Sequence, residues 1–171
     1  MTISEITLPE FDQEMDSTRK LLERVPDGKF SWKPHEKSMP MGRLASHVAE
    51  LPHWALETIN RDVLDLKPGE KSFSAETTAQ LLARFDENRA AARAAIAGVS
   101  DEHLAQPWSL AFNGQTVFTM PRSMVLRSVV INHLIHHRAQ LGVYLRLNDI
   151  AVPGMYGPSA DENVMFGSAG A

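Results

Sequence analysis

A chain of 171 residues with 43% hydrophobic and 22% charged side chains has an ordinary globular composition, which excludes the disordered, collagen-like and coiled-coil classes and predicts one domain over residues 1–171. Its formal net charge of −4 at pH 7, with no block of lysine or arginine, argues against a nucleic acid or an anionic membrane as partner. The absence of cysteine excludes disulfides, a cysteine nucleophile and thiolate metal ligands, so any metal ion must be held by His, Asp or Glu.

The N-terminal segment MTISEITLPE has neither the basic start nor the apolar run of a secretion signal. No stretch of the sequence approaches the roughly 18 consecutive apolar residues that a membrane span requires. We therefore expect a cytoplasmic protein that does not enter a membrane.

The first predicted helix begins at Thr7 and ends before Pro26-Asp27-Gly28, a sequence that breaks helices. Thr7 and Glu10 have the spacing of a capping box, in which each side chain bonds the backbone of the other. The apolar side chains that share one face of this helix are Leu8, Phe11, Met15, Leu22 and Val25.

The second predicted helix begins near Ser38 and runs towards Ile59, with Leu44, Val48, Leu51 and Ala55 as its apolar stripe. Pro52 lies inside this segment. Because proline cannot donate a hydrogen bond to the carbonyl of Val48, we expect a bend there.

The third predicted helix is capped by Ser74 and ends at Gly98. Its stripe consists of Leu81, Leu82, Phe85, Ala92, Ile96 and Val99. After it, the segments 108–112 and 115–118 alternate in polarity on either side of Asn113-Gly114, a strong signal for a two-residue hairpin turn. This pattern predicts a short hairpin or an extended crossover.

The fourth predicted helix begins at Pro121 and ends at Asn148-Asp149. Its stripe consists of Leu126, Val130, His133, His137, Leu141 and Tyr144. Four amphipathic helices joined by one longer crossover predict an all-α fold, a four-helix bundle.

Histidines are concentrated on the last helix. His133 and His137 are four residues apart, so both rings project over one face and can meet a single ion. His136 could replace His137 at a spacing of three residues, although it lies towards the flank of the stripe. His47, on the apolar face of the second helix, is the best candidate for a third ligand. Histidines that merely pack in the core, with their ring nitrogens satisfied, remain the alternative.

Other catalytic motifs are missing from the sequence. There is no His-Glu-x-x-His, and Glu50-x-x-His53 lacks the second such pair that a di-iron bundle needs. A phosphate-binding glycine loop and a Gly-x-Ser-x-Gly elbow are also absent. These absences argue against zincin, ferritin-like, nucleotide-binding and serine-hydrolase chemistry.

Three segments, GRLASHVAEL, NHLIHHRAQL and VPGMYGPSADE, resemble in order and spacing the DinB (damage-inducible, YfiT-like) family of metal-binding four-helix bundles. The resemblance covers nearly the whole chain. It implies an up-down-down-up bundle, a homodimer, and a three-histidine metal site on His47, His133 and His137. It also implies a divalent ion that varies among nickel, zinc, iron and manganese. Characterised members include thiol-dependent S-transferases and mycothiol-dependent isomerases, so the resemblance does not fix the reaction.

Three neutral imidazoles leave open positions on a divalent ion, as catalytic sites do. We therefore expect the ion to activate a low-molecular-weight thiol or a water as nucleophile towards a small electrophile, although a non-catalytic module whose ion braces two helices is the alternative. The residues that could assist are Glu50, Gln140 and Tyr144, with Trp54 as a wall of the cavity and Asp161 and Glu162 folding over it.

Overall fold

The computed structural model describes residues 1–162, so residues 163–171 of the predicted single domain lie outside the described range. The helices are α1 (Ile3–Leu22), α2 (Met41–Glu50), α3 (His53–Asn60), α4 (Thr78–Gly98), α5 (Asp101–Ala105), α6 (Arg122–Val125) and α7 (Asn132–Arg146). A 3-10 turn covers Asp27–Lys29, and a π-helical segment covers Leu126–Ile131. The strands are β1 (Val63–Leu66), β2 (Pro107–Phe112) and β3 (Gln115–Pro121).

The prediction of an all-α four-helix bundle is wrong, because a three-stranded mixed sheet accompanies the helices. Its order is β1-β2-β3, with β1 parallel to β2 and β2 antiparallel to β3. The expected hairpin forms β2 and β3, and Asn113 and Gly114 adopt the positive φ angles (51° and 80°) that its turn requires. No pattern in the sequence predicted β1, a four-residue strand that joins β2 across about 45 residues of chain.

The start of α1 differs from the predicted capping box. The helix begins at Ile3, and the box is formed by Thr2 and Glu5, which have the same spacing as Thr7 and Glu10. A long-range hydrogen bond explains why the helix begins at this earlier position. The amide of Ile3 donates to Oδ1 of Asp101 at 2.9 Å, which ties this first turn to α5. Pro9 consequently lies inside the helix.

Pro52 interrupts the second predicted helix more strongly than a bend, since α2 ends at Glu50 and α3 begins at His53. The helix also starts at Met41 and not near Ser38. Its first amides are satisfied by the loop before it, because Met41 N–H donates to the carbonyl of Trp32 at 2.8 Å and Gly42 N–H to that of Phe30 at 2.9 Å. These bonds fix the position of α2.

The cap of α4 is Thr77 and not Ser74. Its hydroxyl accepts a hydrogen bond from the amide of Gln80 at 3.3 Å, and the helix ends at Gly98 as predicted. The core lies between α1, α2, α3, α4 and α7, and its fully buried apolar side chains include Phe11, Met15, Leu44, Val48, Ala55, Leu81, Phe85, Leu134 and Leu141. Among residues 1–162, the helices are too short or too polar to cross a bilayer.

The last predicted helix does begin after Pro121, but it is not a uniform α-helix. The π-helical segment lies between α6 and α7 and ends immediately before Asn132. Such segments use hydrogen bonds from residue i to i+5 and are frequent near functional sites. His133 and His137 follow it within the first two turns of α7.

Candidate metal centre

The side chains of His47, His133 and His137 converge, although His47 precedes the other two by about 90 residues. The Nε2 atom of His133 lies 3.4 Å from Nε2 of His47 and 2.9 Å from Nε2 of His137. The three rings lie edge to face or tilted against one another, with centroids 4.7–5.1 Å apart. One nitrogen of each ring lies within 4.8 Å of the others.

These separations fit a shared ion. Imidazole nitrogens about 2.1 Å from one metal ion lie about 3.0 to 3.4 Å from each other in octahedral or tetrahedral sites. The observed Nε2 separations from His133 fall close to that interval. The three-histidine group could therefore hold one divalent metal ion by its Nε2 atoms.

The local helical structure explains why these rings meet. His133 and His137 are one turn apart on α7, so their side chains point in the same direction. His47 lies in the last turn of α2, which packs against α7. His136 is exposed and lies outside the group, although its ring contacts that of His137 with centroids 4.8 Å apart.

Contacts at the far side of two rings orient them. The Nδ1 of His137 donates to Oε1 of Gln140 at 2.8 Å, which leaves Nε2 as a lone-pair donor. The ring of His133 lies beside the backbone of Val129, one turn earlier, and this contact opposes the effect of burial on its pKa. Each interaction favours the tautomer that presents Nε2 to the centre of the group.

Burial keeps the three imidazoles neutral. Burial, together with the smaller effects of the neighbouring His137, His133 and Arg43, lowers the pKa of His47 to about 4. The pKa values of His133 and His137 are also lowered, in both cases mainly by burial. The hydrogen bond to Gln140 opposes the shift at His137. Because metal ions bind only unprotonated imidazole, the group is in its ligand form at neutral pH.

A cleft of about 770 Å³ opens beside His47. Glu50 and Trp54 line it together with His47, as do residues of β1. Glu50 is half-buried, its Oε1 accepts the amide of Phe73 at 3.3 Å, and burial raises its pKa. The predicted wall position of Trp54 is therefore observed, whereas any catalytic part for Glu50 stays a prediction.

Tyr144 and the acidic residues of the C-terminal segment have other contacts. The ring of Tyr144 packs edge-on against Trp32, with centroids 5.6 Å apart. Asp161 pairs with Arg146, and Glu162 accepts the amides of Gly154 and Ser159. Asp161 and Glu162 thus hold this segment to itself and to α7, and do not line the cleft.

Arg43 was not singled out from the sequence. It lines the same cleft as His47 and lies one helical turn before it on α2. The sequence could have pointed to Arg43, because it precedes the candidate ligand His47 by four residues and so lies on the same helix face. The strand β1, which also lines the cleft, had no comparable signal.

Comparisons with known proteins agree with this architecture. The sequence matches the DinB family over residues 5–164. It is 31% identical over 164 residues to the uncharacterized protein YrdA of Bacillus subtilis (strain 168), an alignment that covers 94% of this chain and 92% of YrdA.

Two solved structures have a similar fold. A DinB-like protein from Bacillus cereus ATCC 10987 superimposes with a TM-score of 0.68 at 24% identity, over 87% of this chain and 95% of the other. The DinB-like protein YjoA from Bacillus subtilis gives a TM-score of 0.63 at 21% identity, over 86% and 95%.

Proposed function

The chain belongs to the DinB family, and we propose that it is a metal-dependent enzyme in which His47, His133 and His137 hold one divalent ion, such as nickel, zinc, iron or manganese. Its substrate is a small electrophile, and the nucleophile is a small thiol or a water. The observation that carries the proposal is the convergence of three neutral imidazoles beside an open cleft.

The donor set suits this role. Three histidine ligands leave coordination positions free, which distinguishes catalytic sites from closed structural ones. When bound, a divalent ion lowers the pKa of a coordinated thiol or water, so that a nucleophile is available at neutral pH. The protein contributes the rigid placement of the rings through Gln140 and the backbone of Val129.

Side chains of the cleft supply the remaining functions. Trp54 offers an apolar surface against which an electrophile can pack. Glu50 lies one turn after His47, and its Oε1 is engaged by the amide of Phe73, so Oε2 is the atom that accepts a proton from the nucleophile. Its raised pKa brings it closer to the range of a general base.

A second candidate function follows from the position of the ligands on two helices. An ion held by His47 on α2 and by His133 and His137 on α7 would brace these helices against each other without any turnover. The protein would then be a metal-stabilised structural or stress-response module.

One set of measurements separates the two functions. Purified wild-type protein, His133→Ala and the matched control His136→Ala are analysed for metal content. They are then assayed with a chromogenic aryl halide, with a panel of small thiols and with water alone. The enzyme proposal expects one equivalent of metal and turnover with a thiol or with water, both lost in His133→Ala and both retained in His136→Ala.

Two results would contradict it. Stoichiometric metal without turnover under any condition, while His133→Ala merely unfolds at a lower temperature, would favour the bracing function. Absence of metal even from protein produced in metal-supplemented medium would reject both functions and leave the histidines as packing residues.

A further inference from the structure

Arg43 has an unusual environment for a charged side chain. It is half-buried, and its Nη1 atom is buried without a hydrogen-bond partner among residues 1–162. A guanidinium carries five donors in a planar fork, and leaving one of them buried and unpaired costs free energy. Most other arginines of the chain pair with carboxylates. An acceptor brought into the cleft by a ligand would remove this cost.

The guanidinium is also close to the candidate metal centre. Arg43, His47 and Glu50 lie at positions i, i+4 and i+7 of α2, so the three side chains share one face and line one cleft. Burial is the main cause of the low pKa of His47, and the charge of Arg43 lowers it further. The same charge partly opposes the effect of burial on the pKa of Glu50.

Of the other carboxylates of the cleft, Glu70 is exposed and two are engaged elsewhere. Glu57 lies 3.3 Å from the ring of His53 and 3.0 Å from Nε of Arg61, although the latter pair is not aligned as a hydrogen bond. Asp65 pairs with Lys67 and accepts the amide of Gly114 at 3.0 Å. Among residues 1–162, Arg43 is therefore the half-buried cation of the cleft that has no carboxylate partner, since Lys71, which also lines the cleft, is exposed.

We propose that Arg43 is the anion-recognition residue of this site, and that the small molecule acting at the three histidines carries a carboxylate that pairs with the guanidinium. The inference rests on the proposed function, because that function supplies the metal ion that binds the other end of the small molecule. The contact between the carboxylate and Arg43 requires no metal ion. Arginine binds carboxylates through two parallel hydrogen bonds, which gives orientation as well as affinity. Side chains one helical turn apart start about 5–6 Å from each other, which suits a ligand whose carboxylate is about two or three carbons from its donor atom.

The test uses two probes with the same thiol and carbon chain but a charged or a neutral end group, 3-mercaptopropionate and its amide. Each is titrated into the cobalt-loaded full-length protein, and binding is followed by the sulfur-to-cobalt absorption band. The ratio of the two dissociation constants is then compared between variants, because this comparison cancels the intrinsic difference between the two thiols. We expect wild type to bind the acid at least roughly tenfold more tightly than the amide.

Variants assign that preference to a residue. Arg43→Gln should reduce the ratio to near one while leaving the affinity for the amide unchanged. Arg43→Lys should retain part of the preference, and it replaces Arg43→Gln in the test if the latter does not fold. Arg61→Gln is the matched control. It also removes a positive charge from the cleft, but Glu57 already neutralises that charge.

The proposal is overturned if wild type does not distinguish the probes, if Arg43→Gln keeps the preference, or if Arg61→Gln abolishes it equally. Failure of the proposed metal site is recognised separately, as a protein that takes up no cobalt. In that case the acid and the amide are titrated into metal-free protein and followed by NMR. Shifts of cleft residues caused by the acid alone and lost in Arg43→Gln support the carboxylate site, and their absence overturns it.

Discussion

Gln140 accepts a hydrogen bond from His137 across a single turn of α7, with its Oε1 2.8 Å from Nδ1 of the imidazole. Partners of this kind hold a ligand in the required tautomer, and their removal typically lowers metal affinity about 10- to 100-fold. We predict a loss of this size for Gln140→Ala. Gln140→Glu, which keeps an acceptor, should retain most of the affinity. Competition with a chromogenic chelator measures both, and His136→Ala, on the neighbouring exposed residue, should be unchanged.

The stability of the metal-free protein should decrease in acid. An unfolded chain protonates its histidines with a pKa near 6.5, whereas burial lowers the pKa of His47 to about 4 in the folded state. Between these values the unfolded state binds more protons, so the free energy of unfolding falls as the pH falls from about 6.5 to about 4.

Urea denaturation with EDTA at pH 7.5 and pH 4.5 tests this pH dependence. His133 and His137 contribute in the same direction. His47→Gln should show a shallower decrease than wild type. Parallel pH dependence in the two proteins would contradict the assignment of the low pKa to His47.

A buried ion pair holds α7 against α1. Nη2 of Arg138 lies 2.7 Å from Oε2 of Glu14, with exposed fractions of 2% and 5% for the two side chains, and the hydroxyl of Tyr156 lies 2.9 Å from the same carboxylate. Arg138→Met would leave the buried carboxylate of Glu14 without its cation, and we expect a loss of about 3–5 kcal/mol in the free energy of unfolding. Adding Glu14→Gln should recover part of it. Urea denaturation gives both values, and additive effects of the two substitutions would contradict the pairing.

Gly42 is required by the close approach of Phe30. A Cβ atom at this position would lie 2.4 Å from Cδ1 of Phe30, which is far inside a normal contact. Gly42→Ala should therefore destabilise the protein by about 1–3 kcal/mol. Gly98→Ala is the matched control, because a Cβ there meets nothing within 4 Å and alanine is the better helix former. If the melting temperatures of the two variants are equal, the contact with Phe30 does not constrain α2.

Local signals in the sequence identified the elements that are fixed by nearby residues. The turn at Asn113-Gly114 and the helix end at Gly98 depend on backbone preferences of a few residues, so they could be predicted. The strand β1 depends instead on pairing with β2, which lies about 45 residues further along the chain. A four-residue strand carries too little periodicity to reveal such pairing.

The candidate site was largely predictable because its three histidines lie on helices whose faces follow from a simple period. How deeply His133 and His137 are buried was harder to predict. A uniform α-helix would continue the buried stripe from Val130 through His133 and His137. In the structure the stripe continues through Ile131, Leu134, Arg138, Leu141 and Leu145, so both histidines are half-buried and not in the centre of the core.

The π-helical segment has a consequence for chain length. It holds one residue more than an α-helix needs for the same turn, so deletion of the exposed Ser128 would leave Leu126 and Ile131 four residues apart, as a regular helix requires. Elsewhere in a helix, losing a residue rotates everything beyond it by about 100°. A chain one residue shorter at this point would keep His133 and His137 directed towards α2. The helix can therefore lose a residue in this segment without turning the two histidines away from His47.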